Sequence, residues 1–166
     1  PVSEDDQRQD RALIRRAGEY CAQNGITHAV NMDGNPYQAG LMRELAQAGE
    51  MPVRVSLPLR LEESDGVEGL ARIELFGEEV PGWLTFGRVK LFMDGVYDTW
   101  TALTVTDYPD RPGFRSEPLI APEIYAAMCI EADRRGLQVT THAVGDGAVR
   151  GAIDGYEAAV RANGAR

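Results

Sequence analysis

Four short apolar runs, at residues 26–32, 51–59, 89–93 and 137–142, alternate along this chain with segments whose apolar residues recur at helical spacing. Near-continuous apolar strands are buried on both faces. Strands that alternate with helices are joined by right-handed crossovers into a parallel sheet. The pattern therefore specifies an α/β fold of about four parallel strands with flanking helices. Two architectures satisfy it: a small doubly wound sheet, or part of a (β/α)8 TIM barrel. A complete barrel takes about 250 residues, so a chain of 166 residues supplies roughly half of one. No internal repeat or low-complexity tract is present, and residues 1–166 are expected to form a single domain.

The punctuation between elements is specific. Ser3 followed by Glu4, Asp5 and Asp6 starts a helix, with a capping hydroxyl and then acids where the macrodipole favours them. Leu13, Ile14, Ala17, Tyr20 and Cys21 share one face of that helix, and Asn24-Gly25 ends it. Asp33-Gly34-Asn35-Pro36 stops the first strand. A second helix follows, with Leu41, Met42, Leu45 and Ala48 on one face, and Gly49 closes it. Pro52 and Pro58 bound the second strand, and residues 62–80 suggest a weak helix. Residues 95–121 hold Gly95, Pro109, Pro112, Gly113 and Pro118 without clear periodicity. A loop of that length in a compact α/β domain is usually functional. A helix is expected from Pro122 to Arg135, and another over residues 148–162 with Asp146 as its cap.

Composition removes several function classes. A net charge of −9 leaves no basic face for nucleic acid or an anionic membrane. No run of about 18 apolar residues implies a transmembrane helix, and no basic-then-apolar leader is visible. Cys21 and Cys129 lie far apart, each in a helical pattern, and fit free buried thiols in a reducing, cytoplasmic setting. The chain starts at Pro1 rather than Met, as a trimmed chain or a piece of a longer product would.

Chemistry gathers at the carboxyl ends of strands in parallel α/β folds, and Asn31, Asp33, Lys90, Asp94 and His142 all fall there. Lys90 stands out because low dielectric disfavours an isolated ammonium on an apolar strand. Such a lysine reaches solvent, pairs with an acid such as Asp94, or works as a neutral amine. Period-two alternation puts Lys90, Phe92 and Asp94 on one side of the strand and Val89, Leu91 and Met93 on the other. If the first set faces a barrel interior, Lys90 and His142 converge. A neutral lysine can add carbon dioxide to become a carbamate, an oxygen ligand able to bridge two divalent metals, and neutral His142 offers a nitrogen. The competing structural readings are a hydrogen-bonded His142, a partly exposed His28 and Asp146 as a simple helix cap. Gly145 and Gly147 before a helix form only an incomplete phosphate cradle.

Val-Lys-Leu-Phe-Met-Asp-Gly (89–95), Trp-Thr-Ala-Leu (100–103), Asp-Tyr-Pro-Asp-Arg-Pro-Gly (107–113) and Thr-His-Ala-Val-Gly-Asp-Gly-Ala-Val (141–149) resemble the YtcJ-like branch of the amidohydrolase superfamily, amidohydrolase family 3. Gly-Ile-Thr (25–27) and Asn-Met-Asp-Gly (31–34) match its second barrel strand less specifically. The resemblance implies a metal-dependent barrel that uses metal-activated water to hydrolyse amide-type C–N bonds. It makes Lys90 the carboxylatable bridging ligand and His142 the fifth-strand histidine ligand. Asp94, Trp100 and Asp146 fall on the substrate side, and Zn2+ is the expected divalent metal.

This chain departs from that pattern in holding no His-x-His pair; its two histidines are His28 and His142. The sixth-strand histidine and eighth-strand aspartate of the family have no counterpart in it. The chain thus corresponds to barrel strands two to five. Alone it is expected to be inactive, to carry Lys90 unmodified and to self-associate through exposed barrel edges. The rival readings are a doubly wound binding module for a nucleotide or phosphosugar, and a catalytically dead barrel piece acting through association.

Overall fold

The structure is a computed structural model and describes residues 2–165. It divides into two compact units: residues up to 60 with 72–88, and residues 61–71 with those from 89 onward.

In the first unit, α1 (Glu4–Gln23) starts from a reciprocal cap in which Ser3 Oγ accepts from the Asp6 amide while the Asp6 carboxylate accepts from the Ser3 amide. Asn35 caps α2 (Pro36–Gln47) through its side-chain oxygen, and Pro36 occupies the first turn. Between and beyond these helices run β1 (His28–Val30), β2 (Arg54–Ser56), β3 (Leu59–Arg60) and β4 (Leu84–Thr85). β2 lies between β1 and β4 and is parallel to both, with Ala29 opposite Val55 and Val55 opposite Leu84. The run 51–59 is therefore two strands rather than one. Pro58 has no N–H to continue the ladder and separates them. β4 escapes a sequence reading because it is two residues long and lies between Gly82 and Gly87. Leu41, Met42, Leu45, Val53, Val55, Leu57, Phe76, Leu84 and Phe86 are buried in this unit. Phe76 and Phe86 meet edge to face at 5.2 Å.

The expected weak helix over 62–80 is instead two 3₁₀ segments, Glu63–Asp65 and Glu68–Phe76. Gly66, at φ 55°, interrupts any longer α-helix between them.

The second unit is built on β5 (Arg88–Phe92) and β6 (Gln138–His142), which are neighbours in a sheet. The Met93 amide donates to the His142 carbonyl at 2.9 Å, and the Leu61 amide donates to the Lys90 carbonyl at 3.0 Å. α3 (Pro122–Arg134) runs from a first-turn proline to a stop at Gly136, whose φ is 78°. α4 (Asp146–Asn163) follows β6 and begins two residues earlier than its apolar periodicity suggests. Its N-cap is Gly145, so Asp146 is the first helical residue rather than the cap.

α3 and α4 pack through a face of small residues on α4: Ala148, Ala152, Gly155 and Ala159 are buried. A Cβ on Gly155 would sit 2.3 Å from Cε1 of the buried Tyr125 ring and 3.3 Å from Cys129 Sγ. Burial pushes the Cys129 thiol up to about 11, whereas Cys21 is partly exposed rather than buried. Among the described residues, no helix is long and apolar enough to cross a membrane.

Two outcomes follow from this packing. Gly155→Ala gains up to about 1 kcal/mol of helix propensity but forces the Tyr125 ring aside, and the net effect expected is a loss of about 1–3 kcal/mol. Urea unfolding measures it, and an unchanged midpoint would contradict the close approach. In the folded chain at pH 8, Cys21 is expected to react with a thiol reagent while Cys129 reacts only on unfolding; equal rates would contradict the burial.

Candidate active site at the ends of β5 and β6

Lys90 lies on β5 between Val89 and Leu91, both fully buried, and is itself only 6% exposed. Its side chain therefore does not escape to solvent. Nζ sits 4.3 Å from the centre of the Phe92 ring, whose face stabilises a cation. Phe92 also stacks at a tilt on His142, with ring centres 5.2 Å apart. The aromatic ring thus touches both candidate metal ligands, as expected for residues 90 and 92 on one side of a strand.

Asp94 is 1% exposed, and its carboxylate is fully engaged by backbone. Oδ2 accepts from the amides of Leu103 and Gly145, each at 2.8 Å, and Oδ1 accepts from Val144 at 2.9 Å. One side chain at the end of β5 thereby holds the 95–103 loop and the β6–α4 turn. Two glycines permit the approach. A Cβ on Gly145 would meet the Leu103 carbonyl oxygen at 1.9 Å, and one on Gly95 would meet Thr101 Oγ1 at 2.1 Å.

His142 is partly exposed, and its Nε2 lies 3.0 Å from the Gly95 carbonyl oxygen and 4.0 Å from Asp94 Oδ1. A carbonyl can only accept, so the neutral imidazole carries its proton on Nε2. Nδ1 is then the lone-pair nitrogen available to a metal, and the Gly95 carbonyl is the kind of partner that fixes a ligand histidine.

Trp100 adopts a left-handed backbone with φ 54°, the one non-glycine residue among those described with positive φ. Its Nε1 donates to Asp110 at 2.9 Å, and the Arg111 guanidinium covers its ring at 3.6 Å. Tyr108, buried beneath the loop, donates from its hydroxyl to the Ala102 carbonyl at 2.7 Å. Asp146 is exposed, and its Oδ1 accepts from Val105 and from its own neighbour Gly147, each at 2.9 Å. The 95–121 segment is thus an ordered loop tied to both strand ends. Thr101, Leu103 and Tyr108, which hold it, lie in the motifs at 100–103 and 107–113, but no spacing marks them as the residues that tie the loop.

His28, in the first unit, is exposed, as is Asp33, whose amide bonds back to Asn31 Oδ1 at 2.8 Å. Asn31 therefore closes a turn after β1.

The donor chemistry fits part of a divalent-metal site. His142 presents Nδ1, and the buried Lys90 places Nζ over the Phe92 ring that also lies against His142. Among the described residues, no three His, Cys, Asp or Glu side chains group to hold a metal. Two donors fall short of the three protein ligands a catalytic zinc takes.

A model of the amidohydrolase family matches residues 2–166. The chain belongs to the amidohydrolase family. It is 38% identical over 90 residues to Protein LONG AFTER FAR-RED 3 of Arabidopsis thaliana, covering 54% of this chain and 15% of that protein. It is 29% identical over 113 residues to YtcJ of Bacillus subtilis (strain 168), which is named among the amidohydrolases; that match covers 68% of this chain and 20% of YtcJ. Two crystal structures of uncharacterized metal-dependent hydrolases, from Pyrococcus horikoshii OT3 and Pyrococcus furiosus, each superpose with a TM-score of 0.77 at 27% identity. They cover 91% and 92% of this chain, and 30% and 32% of their own. The chain thus spans less than a third of the length of these relatives. Its parallel strands and flanking helices belong to the metal-dependent hydrolase fold, and a partial barrel agrees with them.

Removing the Asp94 carboxylate orphans three backbone amides, that of Gly145 buried and those of Leu103 and Val144 part-buried, at about 1–3 kcal/mol each. Asp94→Ala is therefore expected to destabilise the chain by at least about 3 kcal/mol in chemical denaturation. Asp146→Ala, at an exposed position, is expected to cost about 1 kcal/mol. Equal losses at the two positions would contradict the assignment of Asp94 as the tie.

Proposed function

We propose that this chain supplies the Lys90 and His142 ligands of a metal-dependent amidohydrolase that cleaves amide-type C–N bonds in a small-molecule substrate. The observation that carries this reading is a buried lysine and a histidine of fixed tautomer, on neighbouring strands of a chain belonging to that family. In this reading the Lys90 ammonium loses one proton to become an amine, its Nζ forms a new bond to the carbon of carbon dioxide, and a second proton leaves Nζ to give the anionic carbamate. His142 directs Nδ1 at the same metal site while the Gly95 carbonyl holds Nε2–H. Asp94 keeps the two loops at a constant distance from these donors, and Trp100 and Asp146 line the substrate side on the 95–121 loop and at the start of α4. When bound, a divalent pair lowers the pKa of a water and polarises the substrate carbonyl. Imidazole and oxygen donors suit Zn2+.

Two unpaired cysteines fit a reducing, cytoplasmic location. The phosphate-binding alternative has less support, because the amides that would cradle a phosphate are engaged. Val144 and Gly145 donate to Asp94, and Gly147 donates to Asp146.

The test is a zinc titration of this 166-residue chain followed by nitrogen NMR of the His142 ring. Weak binding that perturbs Nδ1 is expected, and Lys90→Met should weaken it further. Perturbation at Nε2, or no response of His142, would sink the ligand assignment. Tight stoichiometric zinc would contradict an incomplete ligand set. In a longer chain that completes the site, His142→Ala should lower kcat/KM by more than the ~10–100-fold typical of outer-shell changes.

A further inference from the structure

Two tyrosine hydroxyls converge on Thr141, the residue before His142 on β6. The Tyr125 hydroxyl, from α3, lies 2.7 Å from Thr141 Oγ1, and the Tyr156 hydroxyl, from α4, donates to the same oxygen at 2.9 Å. Alternation along the strand turns Thr141 toward these helices and His142 to the opposite side. Tyr125 is 1% exposed, and burial pushes its phenol far up, so it is a neutral hydroxyl at any working pH.

Packing alone does not call for oxygen at these positions. Phenylalanine at 125 and valine at 141 would fill nearly the same space, and a hydroxyl taken out of water is costly unless it is bonded. What the hydroxyls add is direction, because a satisfied polar network holds one arrangement where apolar packing tolerates several. From the β5 side His142 is held by the Met93 amide on its carbonyl, the Gly95 carbonyl at Nε2 and the Phe92 ring on its face. The Thr141 contacts grip the same stretch of backbone from the helix side. We propose that Tyr125 and Tyr156 are positioning residues for His142: by holding Thr141 from two helices, they fix the direction in which the imidazole leaves β6 and hence where Nδ1 points. The inference rests on the metal-ligand reading of His142 only for the purpose that this position serves.

The test reads the imidazole itself in the metal-free 166-residue chain, as the exchange of the His142 Nε2 proton with water followed by NMR. While the Gly95 carbonyl holds that proton, exchange is slow. Tyr125→Phe and Thr141→Val are each expected to quicken it about fivefold, the worth of roughly one hydrogen bond. Tyr156→Phe, at an exposed position that leaves folding intact, should give a smaller rise in the same direction. Thr141→Ser keeps the hydroxyl and should keep the slow exchange. A separate tie between the same helices supplies the control: Asn163 Nδ2 donates to the Ile130 carbonyl at 2.9 Å and to Asp133 at 2.7 Å. Asn163→Ala should lower the unfolding midpoint and leave the Nε2 proton unchanged. Exchange indifferent to Tyr125→Phe and Thr141→Val overturns the proposal. So does an equal rise in Asn163→Ala, since general loosening of the helices would then be responsible. Added zinc separates the two readings: if His142 ignores the metal in the unaltered chain, its role as a ligand fails, while the metal-free exchange still decides what Tyr125 and Tyr156 do.

Discussion

Everything at the candidate site hangs from the carboxylate of Asp94. A buried carboxylate is tolerated only when its oxygens are satisfied, and here three backbone amides do so. Those amides come from two segments far apart in sequence, so one side chain settles where both loops leave the sheet. His142 lies just upstream of one loop and Gly95 opens the other, which is why the imidazole and its carbonyl partner meet. Charge-assisted bonds to backbone are short and directional. The arrangement therefore fixes positions of atoms and not merely the proximity of chains. Glycine at 95 and 145 completes the logic, because any side chain there would collide with the loop that Asp94 draws in.

Lys90 illustrates how burial and chemistry bear on each other. Its strand is apolar on both sides, and its Nζ lies against the face of Phe92. That ring also lies against His142, so any change in the charge or size of the lysine head group is felt by the histidine through one shared aromatic. Sequence placed these three residues on neighbouring strand ends. The contact through Phe92 is a matter of rotamers, and no periodicity reports it.

The elements most legible in the sequence are those that announce their own boundaries. Ser3 with Asp6, and Pro122 with Gly136, are local chemistry, and those helices begin or end where that chemistry says. The family resemblance was legible for a related reason: residues 89–95 and 141–149 are contiguous motifs, and the family match spans the chain. What stayed hidden was set by distant partners. Asp146 reads as a helix cap from its neighbours, yet its oxygen is turned to the amide of Val105. β4 is too short to carry a period and exists because β2 offers it an edge. The 95–121 segment looks formless because its order comes from Trp100 reaching Asp110 and Tyr108 reaching Ala102, single contacts that no repeat announces.

The face that joins α4 to α3 is specified by atoms that are missing. Three of its four buried positions are already alanine, and the fourth is glycine. Alanine scanning measures a residue by deleting its side chain, so it is blind at Ala148, Ala152 and Ala159, and at Gly155 it adds matter instead of removing it. A map of this unit drawn by truncation would leave its tightest helix contact blank. Only enlargement, one methyl or one methylene at a time, would trace where the two helices touch.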